Sequence, residues 1–500
     1  MNLASIIDDH DADRLALISR GRPTTYGQLR EQVDHLRGGF ASLGLGDGDR
    51  IAILGGNSRH FAVSYLAALG LGAIAVPLNP LSPALEIESQ IAEVGAKVVV
   101  IEKLSAPTWA RVDRAAIPSV EHVVTNEEAR RDGVVRIDDL LAAEPVARCD
   151  LAPDHLAVLM FTSGTGGAPR AAMLTHDNLF ASIEQTVAAG DRLRPDDLVF
   201  GVLPLFHIFG LNVVLGLTLH VGAAVLLVQR FDPATAADSI HERGVTVVPG
   251  VPAMWSAFAG FDELPDDTFA SVRLALSGAS KLPVSVADRF EQRFGLQLSE
   301  GYGLTEASPT VTTSAGIEPR RGSVGRAVPG VEIRLVNSNG DALVGDVGEV
   351  LVRGRNVFSG YYGDDDATAS TFHEGWLLTG DLGMADDDGY LYLVDRSKDL
   401  IIVSGFNVFP GEVEDVLTSH PDVVEAGVVG VPHPHTGEAV RAFVVLAEGV
   451  DVDEDALIEY CRDHLARYKC PSKVLVAREL PRNAGGKLIR HQLLPSLAIT

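Results

Sequence analysis

The stretch Phe161-Thr162-Ser163-Gly164-Thr165-Gly166-Gly167-Ala168-Pro169-Arg170 decides how the rest of the chain is read. Before it, His155 to Phe161 is a short apolar run of strand length. After it, Leu179, Ile183 and Val187 recur every four residues, the spacing of one helix face. Three glycines, three hydroxyl side chains and a proline lie between, a composition that cannot bury an ordinary core. Such a loop offers backbone N–H groups and small hydroxyl donors to an anion, and glycine lets the main chain approach closely. It reads either as a solvated turn between strand and helix or as a clamp for nucleotide phosphates. It is not a Walker loop, because no Gly-Lys-Ser/Thr ends it.

Working outward, 500 residues exceed what one hydrophobic core organises and predict about three domains or subdomains. The net charge of −26 argues against nucleic acid or an anionic membrane surface as a general partner, so any anionic ligand needs a local site. Cys149, Cys461 and Cys470 form no C-x-x-C and no zinc spacing, and read as reduced structural thiols. The first residues carry acids where a signal peptide carries bases. The apolar segments 61–78 and 208–228 are interrupted by glycine, proline or polar residues, so no transmembrane span is expected and the chain reads as cytoplasmic.

The first hundred residues alternate helix and strand. Residues 26–43 have helical spacing, 50–54 strand, 58–69 helix, 73–77 strand, 86–94 helix and 96–101 strand. This βα alternation predicts a parallel sheet with helices on both faces. A second α/β stretch follows the glycine-rich loop, with strands at 223–228, 245–248, 274–277 and 296–299 and helices at 233–243 and 284–294. From about Ser323, short runs alternate with Gly/Asp turns, as in a small antiparallel barrel or sandwich. The last hundred residues read as a compact α+β unit, with helices at 413–419 and 454–468 and strands at 423–431 and 439–446.

Further motifs follow in order: Pro204-Leu205-Phe206-His207, Ser277-Gly278-Ala279-Ser280-Lys281-Leu282-Pro283, and Gly301-Tyr302-Gly303-Leu304-Thr305-Glu306. Then come Thr379-Gly380-Asp381, Asp395-Arg396-Ser397-Lys398-Asp399, Ser404-Gly405-Phe406-Asn407 and Pro481-Arg482-Asn483-Ala484-Gly485-Gly486-Lys487. In Gly301–Glu306 the glycines permit a turn that presents an aromatic ring, a hydroxyl and a carboxylate. These can meet a purine, a phosphate oxygen and Mg²⁺.

The ordered set resembles the adenylate-forming superfamily of acyl- and aryl-CoA synthetases, peptide-synthetase adenylation domains and luciferases, across nearly the whole chain. The resemblance implies a large N-terminal domain, 1–397, of two α/β subdomains plus a small β-barrel. A small mobile α+β domain, 398–500, would follow, with its hinge at Lys398. It implies ATP, Mg²⁺ and CoA as ligands, in a monomer or homodimer. Thr162, Ser163, Gly164, Thr165, Gly166, Gly167 and Arg170 would grip phosphate. Gly278, Ala279, Ser280, Gly301, Tyr302 and Gly303 would form the adenine bed, and Asp381 with Arg396 would read the ribose. Thr305, Glu306 (also the metal ligand) and Lys487 would be catalytic. His207 and Gly278 would line the acyl pocket, with Ser404 and Gly405 on the pantetheine tunnel.

The family loop usually reads S-G-T-T-G-x-P-K-G; here Gly166, Arg170 and Ala171 depart from it. One lost hydroxyl removes a phosphate hydrogen bond of about 0.5–1.5 kcal/mol. The expected activity is ATP-dependent acyl-CoA ligation of a fatty or otherwise hydrophobic acid through acyl-AMP, with an aromatic acid as runner-up. A ligase loading a carrier protein is the enzymatic alternative. No carrier domain follows Thr500, which favours free CoA. The remaining alternative is a non-catalytic nucleotide-binding homologue.

Overall fold

The computed structural model describes residues 1–126, 133–162, 169–189, 193–337, 340–343, 345–396, 399–404, 406–434, 436–447, 449–450, 452–483 and 486–496. The fold is α/β. A seven-stranded sheet runs Val134–Arg136, His122–Thr125, Val98–Ile101, Arg50–Leu54, Ile74–Leu78, Leu156–Thr162, Arg170–Thr175. Its pairings are parallel except the last. The nine-stranded sheet beside it is parallel at its centre and antiparallel at both edges. Residues 331–396 supply a five-stranded antiparallel half-barrel. Residues 401–476 supply a second five-stranded sheet with its own apolar cores. Among the described residues no helix is long and apolar enough to cross a membrane.

Helix ends follow local chemistry. Thr25 and Gln28 form a reciprocal capping box at the start of Tyr26–Ser42. Asp232 caps Pro233–Arg243, proline occupies its first turn, and Gly244 ends it with a φ of +64°.

Two strands are added to the sequence reading by their pairing. The run Arg170–Thr175 is a strand pairing antiparallel with Leu156–Thr162, so the glycine-rich segment joins two strands of a hairpin and not a strand to a helix. Its sequence, R-A-A-M-L-T, contains two alanines, which are poor strand formers. The second is Leu15–Ser19, an early segment that crosses to the later nine-stranded sheet and pairs in parallel with Ala224–Leu227. The helix read at 454–468 stops at His464, followed by a 3₁₀ turn at Arg467–Lys469.

Four neighbouring parallel strands of the nine-stranded sheet, Leu298–Gly303, Leu274–Ser277, Val247–Gly250 and Leu198–Gly201, place the motifs. Their carboxyl ends lead into the Thr305–Glu306 turn, Gly278, Val251 and His207. Adjacent strand ends thus gather residues distant in sequence on one edge, where open α/β sheets bind ligands.

Candidate active site

Tyr302 is the penultimate residue of the strand Leu298–Gly303, and its hydroxyl donates to Asp381 Oδ2 at 2.7 Å. Both residues are buried. Asp381 lies on Trp376–Ala385, directly opposite Arg396 in the register of the neighbouring strand. Its backbone N–H is held by Thr379 Oγ1 at 3.1 Å. The structure therefore joins the aromatic ring and the carboxylate across the interface between the nine-stranded sheet and the half-barrel.

The floor beside them admits little bulk. A Cβ on Gly278 would stand 2.9 Å from the Phe209 ring, and one on Gly303 would stand 2.0 Å from Pro309 O. Ala279 takes a left-handed φ of +68°, strain that a non-glycine residue keeps only where its surroundings impose it. Ser280 follows, half-buried. Gly301 precedes Tyr302, facing Thr313 across the sheet edge. Next to this bed, burial raises the Glu300 carboxyl to about 7 against the pull of the Leu282 N–H, Lys281 and Arg321.

Thr305 and Glu306 occupy a short 3₁₀ turn, Thr305–Ala307. The Tyr361 hydroxyl donates to Glu306 Oε1 at 2.8 Å, and the Phe358 N–H donates to Glu306 O at 2.9 Å. Burial first, then the Glu306 charge, pushes the Tyr361 phenol upward. Asn356, fully buried, donates to Ala307 O at 2.9 Å and Thr310 O at 3.1 Å. Among the described residues no group of three or more His, Cys, Asp or Glu converges into a metal cage. A hard cation at Glu306 would thus complete its oxygen shell from phosphate and water, as Mg²⁺ does in nucleotide sites. The donor set fits that ion.

Of the glycine-rich loop, Ser163, Gly164, Thr165, Gly166 and Gly167 lie outside the described residues. Its ends face each other, and Thr162 Oγ1 donates to Arg170 O at 3.4 Å. Arg170 Nε donates to Asp364 Oδ2 at 2.9 Å, and its guanidinium lies 5.7 Å from the centre of the Tyr361 ring. Asp364 also caps its own helix, and the Ala367 N–H is the main cause holding its carboxyl low. Arginine in the lysine position is therefore tied to the half-barrel beside Glu306. Tyr361, Asp364 and Asn356 carry no motif signal; only their long-range partners reveal them.

His207 is half-buried, and its Nδ1 accepts from the Phe209 N–H at 3.3 Å. Burial lowers its pKa to about 4, so the imidazole is neutral at physiological pH. The apolar segment after it begins as a π-helix, Phe209–Gly216.

Lys487 follows a tight turn in which its N–H donates to Asn483 Oδ1 at 2.8 Å and its carbonyl accepts from the Asn483 N–H at 2.8 Å. Gly486 in that turn has a φ of +80°, and a Cβ there would stand 3.3 Å from Val251 Cγ2. The carboxyl-terminal turn thus rests on the strand end between those leading to Gly278 and His207. Lys281 Nζ donates to Asp415 Oδ2 at 2.7 Å across the same junction. Ser404 lies apart, exposed where Ile401–Val403 ends before its hairpin partner Phe406–Val408, with a φ of +52°. Lys398 and Gly405 lie outside the described residues.

Residues 7–362 match the family model described as AMP-binding enzyme, and residues 412–487 match that of the AMP-binding enzyme C-terminal domain. The chain is 33% identical over 526 residues to the long-chain-fatty-acid–CoA ligase of Bacillus subtilis (strain 168), covering 98% of this chain and 94% of that protein. It is 33% identical over 491 residues to 4-coumarate–CoA ligase 3 of Oryza sativa subsp. japonica, covering 96% and 88%. Among solved structures, ATP-bound MatB from Rhodopseudomonas palustris gives a TM-score of 0.90 at 33% identity, with 99% of each chain covered.

Proposed function

Because the chain belongs to the AMP-binding enzyme family of adenylate-forming ligases, we propose that it is an AMP-forming carboxylate–CoA ligase acting on a hydrophobic, fatty acid. ATP and CoA are the co-substrates expected for it, as for the CoA ligases it resembles. The acid would attack the α-phosphate of ATP, releasing pyrophosphate, and the CoA thiol would then displace AMP from the acyl-adenylate.

The observation that supports an apolar acid is a cavity of about 60 Å³ between the nine-stranded sheet and its covering helices. Val187, Val199, Val213, Val247, Leu274 and Leu276 contribute to its wall, and none of the described lining residues is charged. Val199, Val247 and Leu274 lie near the beginnings of strands whose ends lead to His207, Val251 and Gly278. At about 3.3 Å per residue, the cavity wall reaches roughly 10 Å along the sheet from the reacting edge, with Pro249 and Leu276 closer to that edge. A carboxylate near His207 and Gly278 with an apolar tail directed inward matches that layout. Among the described lining residues a second carboxylate would meet no cationic side chain.

In this reading Tyr302 stacks on adenine, and Asp381 accepts from the ribose hydroxyls beside Arg396. Thr162 to Arg170 grip the outer phosphates, and Thr305 meets the α-phosphate. Mg²⁺ held by Glu306 and phosphate oxygens would neutralise charge on the nucleotide. Lys487 orients the acid and stabilises charge at the α-phosphate; such placement is what phosphoryl-type transfers require. Residues 398–500 then rotate about Lys398 to bring Ser404 and Gly405 to the pantetheine path.

The test is acid-dependent pyrophosphate exchange, followed by CoA-ester detection, over a panel of butanoate, octanoate, dodecanoate and 4-coumarate. Highest kcat/KM with octanoate or dodecanoate is expected. Preference for 4-coumarate would move the assignment to aromatic acids, and exchange without CoA ester would select a carrier-protein acceptor.

A further inference from the structure

The helix after His207 touches both halves of the proposed site. From Phe209 to Gly216 it has π geometry, and the Leu217 N–H closes on Asn212 O. Such turns in place of α-helix recur at functional sites. Phe209 packs against Gly278, while Val213 and Leu217 line the apolar cavity. Asn212, between them, points to the other half. It is 1% exposed, and its amide donates to Ser308 O at 2.6 Å and to Leu179 O at 3.1 Å.

Ser308 terminates the turn that carries Thr305 and Glu306, and it holds a left-handed φ of +67°. A serine keeps that conformation only where its neighbours impose it, and the Asn212 amide is one such restraint. Gly216 leaves room for this side chain, since a Cβ there would stand 3.0 Å from Asn212 Oδ1. Asn356 holds the same turn from the half-barrel side through Ala307 O and Thr310 O, on a segment that gives no described residue to the cavity wall. The turn is thus held by two asparagines, one of which, Asn212, belongs to the helical segment whose Val213 and Leu217 line the cavity.

We propose that Asn212 is a positioning residue that couples filling of the acyl cavity to the placement of Thr305 and Glu306. The inference rests on the acyl-adenylation reading above. An acid tail that presses on Val213 and Leu217 bears on the helical segment whose Asn212 restrains Ser308. A tail that stops short leaves that segment unloaded. Binding energy from the unreacting end of the substrate then appears in kcat, and not only in KM.

The experiment compares wild type, Asn212→Ser and Asn356→Ser in pyrophosphate exchange with butanoate, octanoate and dodecanoate. Calorimetry of α,β-methylene-ATP with Mg²⁺, with and without saturating dodecanoate, gives the coupling directly. In wild type, kcat should rise with acid length, and dodecanoate should tighten the nucleotide analogue by about fivefold or more. In Asn212→Ser, kcat should fall by about 10- to 100-fold for dodecanoate and far less for butanoate, with the nucleotide coupling abolished. Asn356→Ser should lower kcat by one common factor at all lengths.

Equal losses at every length in Asn212→Ser, an intact coupling factor, or a length-independent wild-type kcat each overturn the proposal. Absence of acid-dependent exchange in wild type would instead refute the ligase reading itself, and the inference with it, before any variant is compared. Should Asn212→Ser not fold, Gly216→Ala, which crowds Asn212 Oδ1, is expected to give the same length-selective pattern at lower amplitude. A uniform loss there overturns the proposal equally.

Discussion

Replacing Tyr361 by phenylalanine removes one contact of the Glu306 turn. The ring keeps its edge-to-face contact with Phe358, at 5.0 Å between centroids, and its place beside Arg170. The backbone N–H of residue 361 keeps its bond to Thr368 Oγ1. What disappears is the hydroxyl that donates to Glu306 Oε1 at 2.8 Å. Hydrogen bonds to charged partners contribute about 1.5–3 kcal/mol. Tyr361 and Glu306 are both half-buried, so water screens part of this and the lower half of that range applies. At about 1.36 kcal/mol per decade, kcat/KM for acyl-adenylate formation should fall roughly 13- to 45-fold. The assay is acid-dependent pyrophosphate exchange titrated with Mg²⁺ and ATP, alongside thioester formation from supplied acyl-AMP. The first should fall and the second should hold. Exchange within twofold of wild type, or equal losses in both half-reactions, would refute the idea that Tyr361 orients Glu306 for the first step.

Lys487→Ala should lower adenylation by about 100-fold or more while sparing thioester formation from acyl-AMP, and Lys398→Pro should show the reverse split in the same paired assays. The Lys281–Asp415 pair is largely exposed. Lys281→Ala should therefore change adenylation by no more than about fivefold, and the difference should vanish when exchange is repeated in high salt. Burial lowers His176 to about 3 from 6.5. The unfolded chain therefore takes up this proton below about 6.5 while the folded chain refuses it until about 3. His176 thus detracts from stability as pH falls through that window and not above it, by up to about 1.4 kcal/mol per pH unit. Denaturant midpoints at pH 7 and 5 should differ less in His176→Gln than in wild type; an identical drop would remove His176 as a cause.

Much of the helical framework was legible residue by residue because its signals are local. Asp232, Pro233 and Gly244 bracket one helix by their own backbone preferences, and the predicted span 233–243 coincides with the observed Pro233–Arg243. The strands around Arg50, Ile74 and Leu274 announced themselves as apolar runs between turns. The ordered motifs likewise named the family, since spacing and residue type are properties of the chain alone.

Pairing is not such a property. Nothing in L-A-L-I-S distinguishes a first strand of the first sheet from the strand that Leu15–Ser19 forms beside Ala224–Leu227. Nothing in R-A-A-M-L-T marks the hairpin arm at Arg170–Thr175, because it is the ladder with Leu156–Thr162 that makes it a strand. The same holds for the site. Sequence supplied Tyr302, Glu306 and Asp381, but tertiary structure alone set Tyr302 against Asp381, Tyr361 against Glu306 and Asn212 against Ser308. Those contacts join residues 55 to 96 positions apart, and they exist only once sheet register has brought strand ends and half-barrel to one edge. The chain's own pattern therefore determined which chemistry it carries, and long-range packing decided which side chains hold that chemistry in place.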